Sequence, residues 1–313
     1  MVADPLSSGD LIADRRAGYA RMLAEGGEAE AAADLMRQAL EIVPSWAAGW
    51  FELAGYEERA GHPGQAADAL RRTLLLQPDD IFGAGLKLAR LGVADAPATP
   101  PSAYVARLFD DYARRFDAAL TERLAYSVPE TLAALVLRER DGATFPLAVD
   151  LGCGTGLFGA RVRPHVGRLE GFDLSAGMLA EARAKDLYDL LAEADLSLPP
   201  GDSGLFSGAL ARHRADLVSA ADVLMYLGDL KAAFAIVAAL VAPHGRFAFS
   251  VEDAGAEGDV VLRPSLRYAH SEAYLRAMCD GHGLDIVAVE RSVIRMDAGA
   301  PVHGLLCLAA ARG

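Results

Sequence analysis

Two rhythms of apolar positions divide the second part of this chain. Short apolar runs at Leu147–Leu151, Leu169–Leu174, Tyr188–Leu191, Ala215–Ala220 and Arg246–Val251 read as buried strands. Between them lie segments of helical spacing, among them Gly228–Val241 and Ser271–Cys279. Strands alternating with helices predict a parallel sheet covered on both faces, an α/β fold. The end of the chain departs from this rhythm. Leu284–Met296 and Val302–Ala310 are two long apolar-rich stretches joined only by Asp297-Ala298-Gly299-Ala300, which predicts a terminal antiparallel hairpin.

The first part of the chain is helical and repetitive. Gly27 and Gly61, Ala32 and Ala66, and Pro44 and Pro78 are each 34 residues apart. That is the period of tetratricopeptide (TPR) repeats, with small residues where helices touch, glycine at the turn and proline at the repeat end. Trp50, Leu53 and Ala54 take the aromatic, leucine and small positions of a second repeat. The first, near Ala13 to Trp46, matches less well. Ile81–Leu91 reads as a closing helix. Trp46, Trp50 and Phe51 suit packing between helices better than a peptide-binding face. Residues 94–103 carry three prolines and form a linker. Tyr104–Ala125 then has apolar residues at helical spacing, with Asp110, Asp111, Arg114 and Arg115 on the other side. The expected organisation is a TPR-like domain over 10–93, a linker over 94–103 and an α/β domain over 104–313.

The candidate chemistry sits where the first strand ends. Val149-Asp150-Leu151-Gly152-Cys153-Gly154-Thr155-Gly156 is a strand running into alternate glycines and then a helix. This device holds nucleotide-like cofactors. Asp150, directly before the glycines, would repel a pyrophosphate but suits a cationic amino-acid end. Asp173 ends the next strand, 17 residues after Gly156, where a carboxylate can accept from both ribose hydroxyls. With these residues the chain resembles class I S-adenosylmethionine-dependent methyltransferases, and more narrowly those preceded by TPR repeats. The resemblance implies a Rossmann-like seven-stranded sheet with a terminal antiparallel hairpin, and S-adenosyl-L-methionine as cofactor.

It also implies roles for particular residues. Asp150, Gly152, Gly154, Gly156, Asp173, Leu174 and Met178 would surround the cofactor. Asp195 would accept from the adenine amine, with Leu196 against the ring. Asp222 and Tyr226, in Ala221-Asp222-Val223-Leu224-Met225-Tyr226-Leu227, would border the methyl acceptor, joined by Arg267 and by Tyr112 from the preceding helix. For Tyr104, Tyr112 and Tyr126, ordinary buried rings on an amphipathic helix account for the pattern equally well. His270, in Arg267-Tyr268-Ala269-His270-Ser271 before a helix, and Asp222 are the candidates for a general base. A structural histidine beside a helix cap is the competing account of His270.

Composition narrows the partners. The 313 residues carry a net charge of −13, with 15 acids and 9 bases in the first 100 residues and 28 and 21 in the rest. A chain this acidic lacks the field that gathers phosphates, which disfavours nucleic acid. No apolar run approaches a membrane span, and Met1–Asp14 lacks the pattern of a signal peptide. Cys153, Cys279 and Cys307 have no metal-like spacing, so no metal site is expected. These features point to the cytoplasm and to reduced thiols. The expected activity is methyl transfer to a small molecule. The alternatives are a peptide or protein acceptor recruited by the repeats, self-association through them, a non-catalytic cofactor-binding module and, last, an NAD-linked oxidoreductase.

Overall fold

The computed structural model describes residues 6–118, 126–139, 144–208 and 210–313, without the side chains of 111, 112 and 114–118. The chain divides into two compact units at Pro97/Ala98.

The first unit is all helical: α1 (Leu11–Glu25), α2 (Ala29–Ile42), α3 (Ala47–Arg59), α4 (Pro63–Leu76) and α5 (Ala84–Arg90). Asp10 caps α1 by accepting from the amides of Ile12 and Ala13. Between α1 and α2, and between α3 and α4, the chain reverses at Gly27 and Gly61, both left-handed with φ of 86° and 82°. Buried alanines, such as Ala13, Ala17, Ala20, Ala32 and Ala33, let the paired helices approach closely. Trp46 is buried and its indole donates to the Leu6 carbonyl, while Trp50 donates to the Pro44 carbonyl. The closing helix is shorter than the sequence pattern predicts. Asp80 accepts from the amides of Ala84 and Gly85 and so fixes the start at Ala84 rather than Ile81.

In the second unit α6 (Ser102–Ala118) and α7 (Val128–Arg138) precede the sheet. β1 (Phe145–Leu151), α8 (Leu157–Val162), β2 (Val166–Asp173), α9 (Ala176–Ala184), β3 (Leu190–Glu193), β4 (Ala215–Ala220), α10 (Lys231–Leu240) and β5 (Val241–Asp253) follow in strand–helix alternation. β6 (Val260–Leu262), β7 (Tyr268–His270), α11 (Glu272–Gly281), β8 (Leu284–Asp297) and β9 (Ala300–Ala311) complete the chain. The parallel order is β3-β2-β1-β4-β5; β9 joins β5 antiparallel and β8 pairs with β9.

Period-two alternation supplies two cores. Val149, Leu151, Phe247, Phe249, Leu305 and Cys307 face α10 and α11. Ala148, Ala248, Leu306 and Leu308 face α7 and α8. Among the described residues the sheet holds nine strands, two more than the seven expected. The two extra strands, β6 and β7, form a hairpin, and β7 pairs in parallel with the end of β5 at Glu252 and Asp253. Each of these strands has only three residues, too few for alternation to show in the sequence. Among the described residues no helix is long and apolar enough to cross a membrane.

Candidate functional site

The strand order reverses between β1 and β4, and ligands of open α/β sheets bind beyond the carboxyl ends of the strands at such a point. A cavity of about 560 Å³ lies there, bounded by residues between Pro100 and Arg295. Gly152 follows β1 with φ of 64°, and a β-carbon there would lie 2.4 Å from Val223 Cγ2. The loop after β4 therefore packs directly on the glycine turn, which only glycine permits. Gly154 lines the cavity and its amide donates to Asp173 Oδ2 at 2.8 Å. Gly156 is the N-cap of α8 and lies outside the lining residues.

Asp173 takes a second backbone bond, from the Ser175 amide to Oδ1 at 2.9 Å. Both oxygens are thus oriented by the main chain, while burial holds the carboxyl above its ordinary pKa. Asp150 is almost fully buried. Its Oδ1 accepts from Ser219 and its Oδ2 from Tyr188, both at 2.7 Å. Burial raises its pKa to about 6, against the opposing effect of these two bonds. The Tyr188 ring reaches Asp150 through a gap made by glycines. β-carbons at Gly159 and Gly171 would fall 2.2 Å from its hydroxyl and 2.7 Å from the ring. Tyr188 was assigned to a strand in the sequence reading; it precedes β3 and works as a support for Asp150.

Leu174, Met178 and Leu196 line the same cavity, as does Asp195. Asp195 already accepts from the Ser197 amide and hydroxyl, and from Ser102 Oγ at 2.5 Å. Ser102 opens α6, so this contact ties α6 to the loop after β3. A second tie comes from Asp110, whose Oδ1 accepts from Ser175 Oγ at 2.5 Å and from the Gly177 amide at 2.9 Å. Asp110 was read as part of a polar face; it strings α6 to the start of α9. Between these ties Tyr104, Val105, Leu108 and Phe109 wall the cavity. Tyr112 lies on the same helix, but its side chain is outside the described residues.

The cavity is also lined by Asp222, Tyr226, Arg267 and Arg295, the last without a site signal of its own in the sequence. Asp222 has φ of 57°, an uncommon conformation for a non-glycine residue, and its amide donates to Ser250. Arg295 Nη1 donates to both Asp222 oxygens, at 2.7 and 2.9 Å, and Nη2 pairs with Glu252. Arg267 Nε donates to the same Glu252 oxygen at 2.7 Å, and Nη2 pairs with Asp297. Burial raises the Asp222 carboxyl pKa, with Arg295 opposing. Tyr226 packs edge-on against Phe109 and is pushed up to about 12, chiefly by burial.

His270 does not join these residues. It ends β7, directly before the Ser271 cap of α11, is fully buried and does not line the cavity. Its Nε2 lies 3.1 Å from the Gly228 carbonyl, and Nδ1 is buried without a hydrogen-bond partner among the described residues. Burial lowers its pKa to about 4, so the ring is neutral at pH 7. Protonation is thus suppressed in the folded state. Stability present above the ordinary value of 6.5 is lost as pH falls toward 4. The expected result for His270→Ala is a lower melting temperature, by roughly 2–5 kcal/mol of stability as for other buried large-to-small changes. Cofactor affinity should stay close to that of the parent.

Residues 149–247 match the methyltransferase domain family. The match covers about a third of the chain. The matched range contains the glycine turn, Asp173, Asp195 and Asp222, whereas Arg267 and Arg295 lie beyond it. Human methyltransferase-like protein 27 is 32% identical over 132 residues, which cover 41% of this chain and 54% of that protein. The chain spans about half the length of this curated relative. Two solved structures share the fold. The 1,6-didemethyltoxoflavin-N1-methyltransferase of Burkholderia thailandensis has a TM-score of 0.52 and 19% identity, over 70% of this chain and 94% of that one. The [4+2]-cyclase SpnF has a TM-score of 0.55 and 16% identity, over 69% and 98%. In this chain the parallel sheet and terminal hairpin are joined by the β6–β7 hairpin that carries Arg267.

Proposed function

We propose that this chain is an S-adenosylmethionine-dependent methyltransferase acting on a small molecule. The observation that carries the reading is one cavity lined by two unlike groups of residues. Asp150 and Asp173 line it with the glycine turn, and Asp222, Tyr226 and Arg267 line it too. Two carboxylates suit a cationic amino-acid group and a ribose, and would repel the pyrophosphate of a dinucleotide. S-adenosylmethionine, held there, supplies an already electrophilic methyl group. In this reading Asp150 holds the amino group, Asp173 the ribose hydroxyls, and Met178 and Leu196 flank the adenine, with Asp195 beside it. Phe109 and Tyr226 exclude water from the acceptor end.

Alignment of a nucleophile can supply roughly 7–11 kcal/mol of a barrier without a base. Because both Asp222 oxygens are engaged by Arg295, we assign Asp222 to orientation rather than to proton removal. Crystals of the Burkholderia thailandensis enzyme hold 1,6-didemethyltoxoflavin and S-adenosylhomocysteine, which is consistent with this reading. The fold alone does not fix the chemistry, since a cyclase shares it.

The remaining assignments are part of the same proposal. Residues 10–93 are read as two TPR units serving as scaffold. Gly27 and Gly61, left-handed and 34 residues apart, support this. Residues 94–103 are a linker, 104–313 the catalytic domain, and the cytoplasm the location, in keeping with three free buried thiols. The test is calorimetry with S-adenosylmethionine on the parent and Asp173→Ala. The variant is expected to bind more weakly by roughly 1.5–3 kcal/mol, the scale of hydrogen bonds to a charged group. Equal binding, with circular dichroism unchanged, would remove Asp173 from the ribose site.

A further inference from the structure

The arginines that line the cavity are already engaged. Arg295 gives Nη1 to both Asp222 oxygens and Nη2 to Glu252, and Arg267 pairs with Glu252 and Asp297. Three carboxylates thus meet two guanidinium groups, a network of net negative charge. The lining has the same sign. Among the described residues Asp150, Asp173, Asp195 and Asp222 stand against Arg267 and Arg295, and no lysine or histidine joins them. An acidic lining alone would attract any cation, but aromatic groups give this one a shape. Tyr226 meets Phe109 edge-on, with centroids 4.9 Å apart and planes at 79°, so the two rings make a corner in the wall. Tyr126 and Tyr226 both line the cavity, and among the described residues no group bonds to either hydroxyl. Burial raises both phenols, Tyr226 to about 12, so each stays protonated at pH 7. After burial, Asp222 acts most on Tyr126, with Arg295 opposing and Asp150 adding to the rise. That phenol is therefore within electrostatic reach of both Asp150 and Asp222.

We propose that the methyl acceptor is an amine, docked against Tyr226 and Phe109 and methylated in its neutral form. The inference rests on the methyltransferase reading of the same cavity and names its substrate class. The step balances without a protein base. The amine, its extra proton already lost to water, attacks the methyl carbon with its nitrogen lone pair. As the C–N bond forms the C–S bond breaks, and the electron pair of that bond stays on sulfur. Nitrogen takes up the positive charge that sulfur loses, so one positive charge is present throughout. A net-negative lining suits that charge before and after transfer. Aromatic faces attract a cation through their quadrupoles, and an un-ionised phenol oxygen accepts an N–H. An oxyanion acceptor would instead face acids, and a hydroxyl acceptor would need a base to take its proton. Asp222 is held at both oxygens by Arg295 and does not supply one.

The test uses the full chain and three probes of similar size: benzylamine, a cation at pH 7, benzyl alcohol and benzoate. Calorimetry on the protein saturated with S-adenosylhomocysteine should show benzylamine binding roughly three- to thirtyfold tighter than benzyl alcohol, the range for a cation on aromatic faces. Benzoate should bind weakest. Saturation with S-adenosylmethionine instead sets a sulfonium charge beside the probe. The preference for benzylamine should then fall roughly threefold or more, because like charges repel, while benzyl alcohol binds equally in both complexes. Tyr226→Leu should lose most of the preference and Tyr226→Phe, which keeps the ring, should retain most of it. Should Tyr226→Leu fail to fold, the two cofactor complexes of the parent decide alone. An equal preference in both complexes would mean attraction to an acidic protein at large and would overturn the inference. So would benzoate binding tightest, benzyl alcohol matching benzylamine, silence of all three probes, or a preference that survives Tyr226→Leu. Failure of S-adenosylhomocysteine itself to bind would overturn the underlying methyltransferase reading instead.

Discussion

Arg295→Ala is expected to lower the stability of the chain by roughly 3–5 kcal/mol, the scale of removing one partner from a buried ion pair. Arg295 is 4% exposed and holds two carboxylates, Asp222 and Glu252, whose side chains are 15% and 6% exposed. Without it both acids remain inside with only Arg267 nearby, and Arg267 reaches Glu252 but not Asp222. Urea unfolding should show an earlier midpoint with an unchanged slope, since the surface exposed on unfolding is the same. Adding Asp222→Asn should recover part of the loss, because the stranded charge is then gone. An unchanged midpoint would mean that water or a rearranged Arg267 replaces Arg295. The network would then contribute little.

Cofactor affinity is expected to fall by about tenfold per pH unit as pH drops below about 6, the limit for one coupled proton. Asp150 carries the effect, with a pKa raised by burial from 3.8 to about 6. Below that value the carboxyl is neutral and holds an ammonium group poorly. The free protein responds in the opposite sense. Its folded state keeps the Asp150 proton after the unfolded chain has lost it, so this residue makes stability fall as pH rises from about 4 to about 6. Asp150→Asn should flatten both dependences and weaken binding at pH 7. Tyr188→Phe removes one of the two bonds that oppose the shift, so the whole profile should move to higher pH. Titration calorimetry across this range checks the first effect and thermal melts the second. A flat affinity profile in the parent would remove Asp150 from the cofactor's cationic end.

The glycine turn and the strands around it were legible because their signals are local. Strand alternation and the turn from β1 into α8 depend on residues next to one another, and so did the placement of Asp150 and Asp173. Leu284–Met296 and Val302–Ala310 announced the terminal hairpin for the same reason: length, patterning and a short polar joint sufficed. The helical spacing after residue 103 located α6, yet it assigned Asp110 to a polar face. Helical periodicity records which side of a helix a residue takes, not what another element brings to that side.

By itself, then, the sequence determined the α/β framework, the glycine turn that lines the cavity and the 34-residue rhythm of the first unit. Tertiary structure alone decided the arginine–carboxylate network. Arg295 meets Asp222 across 73 residues of chain, and no window of sequence holds both. Its one local trace was a charge inside an apolar-rich strand, which alternation alone reads as a solvated edge. Tyr188 reaches Asp150 only because Gly159 and Gly171 leave a gap once three segments are stacked. His270 was moved from a candidate base to a buried strand residue by the pairing of β7 with β5, a contact between three-residue and thirteen-residue strands. Patterning fixes what each element is, through neighbours that share a turn or a pleat. Which charges meet is fixed by packing between elements distant in sequence, where burial makes each unpaired group costly enough to select its partner.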